Sequence, residues 1–90
     1  MIAKHIIVKG KVQGVFFRKH TKQKAEELSL SGWVKNTNND DVEIFAQGNK
    51  NEIEQLINWC WQGSPKANVE NVATNDAEPD INLAGFYIHH

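Results

Sequence analysis

Along the chain, apolar positions recur with a period of two in some stretches and about 3.6 in others, and each switch of period marks an element boundary. Between Lys4 and Val12, residues Ile6, Val8 and Val12 fall on one face of a strand, with Ile7 among Lys9 and Lys11 on the other. A helix is predicted from about Phe17 to Ser29, with Phe17, Thr21, Ala25 and Leu28 on one stripe and lysines and glutamates mostly elsewhere. Strands follow at Ser31–Thr37 and Val42–Gly48, joined by a hairpin turn over Asn38–Asp41, because Asn and Asp tolerate positive φ. After Gly48 a second helix carries Ile53, Leu56, Ile57, Cys60 and Trp61 on one stripe, with Glu52 and Glu54 in its early turns, until Gly63-Ser64-Pro65 stops it. Ala67–Ala73 reads as a fourth strand, Thr74–Gly85 as a polar loop and Phe86–His89 as a short closing strand.

Strand, helix, strand, strand, helix, strand, with a terminal strand added, is the order of a split β-α-β unit. It predicts an α+β, ferredoxin-like sandwich: an antiparallel sheet of four to five strands with both helices on one face and the other face partly open. Ninety residues hold one small core, so residues 1–90 are expected to form a single domain. The apolar run at the N-terminus stops at Lys9, far short of a membrane span or secretory segment. One cysteine, Cys60, allows no internal disulfide and fits a reducing compartment, so the expectation is a cytoplasmic protein. Met1 opens the sequence and the closing strand nearly ends it, which fits a free-standing protein.

Charge adds a local feature. Net charge is only -1, yet residues 1–38 carry eight basic and two acidic side chains, and residues 39–90 carry two basic and nine acidic ones. The positive half supports local anion binding. A general nucleic-acid surface would need a basic balance over the whole chain.

Lys9-Gly-Lys-Val-Gln-Gly-Val-Phe-Phe-Arg18 lies in that positive half and joins the first strand to the first helix. A glycine-relaxed loop entering a helix can aim several backbone N–H groups at one point, where the positive end of the helix dipole adds to them. Arg18, the only arginine, is unfavourable by a few tenths of a kcal/mol in a first helical turn unless an anion lies beside it. Its planar fork matches phosphate or carboxylate oxygens, whereas a lysine offers a point charge. The competing reading is a turn with conformational glycines and a solvated arginine, and the local sequence does not separate the two. Val15 and Phe16 are expected as core or hinge residues, since aromatics beside a loop more often pack than face a substrate.

Other chemistry recedes. His5, His20, His89 and His90 have no ligand-like spacing with one another or with Cys60, so neither a metal site nor a Cys-His pair is expected. Cys60, on an apolar stripe, reads as a small buried hydrophobe. Asp40 and Asp41 read as solvated turn residues, and packing is the default for at least two of Trp33, Trp59 and Trp61. Asn36 is one of ten asparagines, and its spacing singles it out for nothing.

Gly10-Lys11-Val12-Gln13-Gly14-Val15-Phe16-Phe17-Arg18, then Gly32-Trp33-Val34-Lys35-Asn36, Val42-Glu43 and Gly48, resemble the acylphosphatase family. The resemblance continues through Gly63-Ser64-Pro65, Ala67, Val69, Phe86 and Ile88. It implies hydrolysis of the carboxyl-phosphate anhydride of small acyl phosphates to a carboxylate and inorganic phosphate, with no metal and no cofactor. By similarity, backbone N–H groups of Gln13, Gly14, Val15, Phe16, Phe17 and Arg18 cradle the phosphoryl oxygens. Arg18 binds them through its guanidinium, and Asn36 holds the attacking water. The implied partners are acyl phosphates and inorganic phosphate, with no nucleic acid and no membrane, and a monomer is the default. Two features depart from the usual pattern: Asp40-Asp41 stands where Asp-Gly is common, and the last strand ends in His89-His90 where Arg or Lys is common. A non-catalytic anion-binding module, an RNA-binding domain of the same topology, and a domain of a larger carbamoyl-phosphate-using protein are the alternatives.

Overall fold

A computed structural model describes residues 1–90. The elements run β1 (Ile2–Lys11), α1 (Phe17–Glu27), β2 (Ser31–Asn36), β3 (Val42–Gly48), α2 (Lys50–Gln62), β4 (Asn68–Ala77) and β5 (Phe86–His89). One five-stranded sheet has the order β4-β1-β3-β2-β5. The pairs β1–β3, β1–β4 and β2–β3 are antiparallel, while β5 joins β2 in parallel and makes the sheet mixed. The fold is thus the expected α+β sandwich, with a parallel edge added to its antiparallel core.

Alternation explains the core. Ile6 and Val8 of β1, Val12 just beyond its end, Val34 of β2 and Val42 and Ile44 of β3 are buried on the helix side. They meet Phe17 and Ala25 from α1, and Ile53, Leu56 and Cys60 from α2. The α2 stripe is narrower than its sequence suggests: Trp61 is 51% exposed, and Trp59 instead lays its ring 5.3 Å from that of Phe17. The buried positions of α2 lie three, four and seven residues apart, and Trp61 falls just past their edge.

The fourth strand outruns the apolar pattern. Thr74–Ala77, expected as loop, continues β4 because Ile6↔Thr74 through Ala3↔Ala77 stay paired with β1. An edge strand keeps much of its surface in water, so backbone pairing holds these polar residues where no hydrophobic pattern could mark them. Lys4 donates to Asp76 there and holds its carboxyl below the usual carboxylate range. Between Lys9 and Gly10 the β1–β4 register shifts, and Glu70 is the extra residue. Gly10 sits at φ 128° with a would-be Cβ 2.2 Å from the Asn68 oxygen, so no larger residue fits the bulge.

Residues 78–85 return the chain across the open sheet face to β5. Gln47, buried on that face, donates to the Asp80 oxygen at 2.9 Å and accepts from the Asp80 N–H at 2.7 Å. Gly32 N–H then donates to the Gly85 oxygen at 2.9 Å, delivering β5 to the free edge of β2.

Candidate active site

Because β1 and β2 both run antiparallel to β3, they run the same way as each other, and β5 runs with β2. Three C-terminal strand ends therefore meet at one end of the sheet. β1 ends there in the loop to α1, β2 in Asn36 and β5 in His89. Asn36 shares strand parity with the buried Val34, which turns it toward the helix layer. There it borders a cavity of about 380 Å³ together with Val12, Gly14, Phe16, Phe17, Arg18, Lys19, Ile88 and His90.

The loop's conformation is specific. Gly14 has φ 75° and Phe16 φ 61°, with Val15 at negative φ between them. Alternating left- and right-handed residues turn successive N–H groups to the same side and create an anion-binding concavity. None of the N–H groups of Gln13, Gly14, Val15 or Phe16 donates to an acceptor of the chain. The helix that follows has no side-chain cap and no acidic residue in its first turn, unlike α2, whose first turn holds Glu52. The positive pole of α1 is thus uncompensated beside these free N–H groups.

Neighbouring elements hold this loop. Gln13 donates its amide to the Thr37 oxygen at 3.0 Å and the Asp41 oxygen at 2.8 Å, tying the loop to the β2–β3 hairpin. Asp41, expected as a solvated turn residue, is buried and pairs with Lys9 at 2.9 Å. The hairpin closes over it through Thr37 N–H donating to the Asp41 oxygen, and Asp40 takes the left-handed position. Val15 and Phe17 turn inward. Phe16, between them, cannot turn inward as well; it is 73% exposed and is not a core residue. Its carbonyl accepts from the His20 N–H at 3.1 Å and lies 2.9 Å from His20 Nδ1, which pins the strained residue.

Arg18, the second residue of α1, lies beside the free N–H groups. Its Nη1 donates to the His89 oxygen at 3.3 Å and is 3.3 Å from His90 Nδ1. Nε and Nη2 have no partner in the chain, so one side of the fork is anchored to β5 and the other faces the cavity. Asn36 Oδ1 is buried without a hydrogen-bond partner, an arrangement the fold gains nothing from. Together the groups offer a cradle of amide donors, a fixed cation and one aimed acceptor, suited to holding a phosphoryl group and orienting a small nucleophile.

All the residues expected at a site, Gln13 to Arg18 and Asn36, are brought to this end of the sheet. Sequence reading missed the side-chain role of Gln13, the burial of Asp41 and the solvent-facing ring of Phe16. It flagged His89-His90 as standing where the family commonly has Arg or Lys; no local signal marked their contact with Arg18, since the partners are more than 70 residues apart.

Known proteins resemble the chain over nearly all its length. The profile of the family described as Acylphosphatase matches residues 4–88. An acylphosphatase of Coxiella burnetii is 54% identical over 68 residues, which cover 76% of this chain and 72% of the relative. One of Pelotomaculum thermopropionicum is 40% identical over 84 residues, covering 93% and 91%. The crystal structure of acylphosphatase from Bacillus subtilis matches with a TM-score of 0.95 at 33% identity, covering 100% of both chains.

Proposed function

The chain belongs to the acylphosphatase family and hydrolyses acyl phosphates, and from that premise we propose how its residues do so. Backbone N–H groups of residues 13–18 cradle the phosphoryl oxygens at the positive pole of α1. The free Nε and Nη2 of Arg18 bind two of these oxygens through the fork and stabilise the charge that grows on them. Asn36 Oδ1 accepts a hydrogen bond from a water and points its lone pair at phosphorus, in line with the departing acyl oxygen. The observation that carries this assignment is the buried, unpartnered Asn36 Oδ1 in the same cavity as Arg18 and the loop.

A carboxylate leaves without needing a proton near neutral pH, so a general acid is unnecessary and an uncharged Asn suffices opposite it. We take the reaction as metal- and cofactor-free. We also take the chain as a cytoplasmic monomer, one domain over residues 1–90, that does not bind nucleic acid. Of the four lysines on the strands, three already have a carboxylate, Lys4 with Asp76, Lys9 with Asp41 and Lys35 with Glu43, and Lys11 alone is free.

The test is hydrolysis of benzoyl phosphate with EDTA present, comparing the protein with its Arg18→Ala variant. Turnover by the former alone supports the assignment. Equal turnover removes Arg18 from it, and loss of activity in EDTA shows that a metal is required.

A further inference from the structure

Resting on the cradle assignment above, we infer that the Phe16 ring is the contact surface for the acyl half of the substrate and selects apolar, preferably aromatic, acyl groups. The backbone supplies the first reason. A phenylalanine at φ 61° and ψ 25° is strained, and packing does not repay the strain, because the residue is 73% exposed. A glycine or asparagine would hold the same cradle at lower cost.

The second reason is direction. In an in-line displacement the leaving group departs from the face opposite the attacking water. Register places Lys35 beside His89, so Asn36, Ile88 and His90 form the wall on the water's side. Gly14, Phe16 and Lys19 form the remaining wall at the start of α1. Gly14 has no side chain, and a Cβ there would touch nothing, so the cavity opens on that side. A phosphoryl group seated on the loop amides thus sends its acyl group out past Gly14, one bridging oxygen away, with the Phe16 ring as the large apolar surface at the exit. An aryl group covers that ring in an offset or edge-on stack, and an acetyl methyl is too small to do so.

The experiment compares kcat/KM for benzoyl phosphate and acetyl phosphate in the protein, in Phe16→Ala and in Phe16→Leu, with inhibition by inorganic phosphate measured in each. Phe16→Ala should lower the benzoyl-to-acetyl ratio about tenfold, and Phe16→Leu should lower it less, since apolar bulk remains. Phosphate inhibition should stay within about twofold, because the ring does not touch the phosphoryl oxygens. An unchanged ratio overturns the inference, and so does an equal loss on both substrates. Loss of phosphate inhibition in step with activity also overturns it, by showing that the ring supports the cradle. Failure of phosphate to inhibit the unaltered protein would instead strike the cradle assignment on which the inference rests.

Discussion

At the scale of single residues, the proposed mechanism assigns two side chains to different stages of one reaction. Arg18→Lys keeps the charge but loses the planar fork, so both phosphate inhibition and kcat/KM should weaken, the latter by about 100-fold or more. Near-normal phosphate inhibition in that variant would contradict the fork. Asn36→Ala should lower kcat by about 100-fold while phosphate inhibition holds, since water positioning acts on turnover and not on anion binding. It should also leave the thermal midpoint unchanged or raise it, because Asn36 Oδ1 makes no hydrogen bond in the fold. A large drop in the midpoint would assign Asn36 to structure instead. Phe16 is the third informative residue: strain, exposure and position coincide in it, and none of the three is visible in a run of two phenylalanines.

At the scale of elements, the loop is held from two sides. α1 is seated by Phe17, whose ring lies against Trp59 of α2, and Gln13 ties the loop to the β2–β3 hairpin through two carbonyls. Gln13→Ala removes both ties, leaving the Thr37 oxygen to water and the Asp41 oxygen to the Thr37 N–H alone. Phosphate inhibition should weaken about tenfold, with stability lower by about 1–2 kcal/mol, as inhibition assays and urea melts would show. Unchanged inhibition with lowered stability would separate the tie from the cradle. Asp40 in the hairpin occupies a left-handed position that glycine fills more readily; the Lys9–Asp41 pair and the Thr37 bonds hold the turn around it.

At the scale of the whole molecule, the core contains a single titratable group. Burial pushes the Cys60 thiol from its ordinary 9.0 up to about 12. The folded state therefore keeps its proton between those values while the unfolded chain releases it, so stability from this group is full below pH 9 and declines above it. The decline is about 1.4 kcal/mol per pH unit until the folded thiol ionises. Urea melts from pH 8 to 10.5 should show a steeper alkaline loss for the protein than for Cys60→Ala, and parallel curves would remove Cys60 as the cause. The native thiol should likewise resist alkylation at pH 8 and react once the chain is unfolded.

Local periodicity determined the two helices, the β1–β3 core strands and the stripe Ile53, Leu56 and Cys60, because an element buried on one face must repeat its apolar residues at its own period. The resemblance carried by two separated motifs was likewise enough to mark the family, and it named residues 13–18 and 36 as the candidates for its site. Tertiary structure decided the rest, because it depends on partners distant in sequence. The polar end of β4 is held by pairing with β1, and β5 takes its parallel place because residues 78–85 cross the sheet. Asp41 is buried by Lys9 and the hairpin that closes over it. Phe16 faces solvent because Val15 and Phe17 occupy the inward directions on either side of it. The meeting of Asn36, Arg18 and His90 follows from three strands ending at one edge, a consequence of sheet order that no window of local sequence contains.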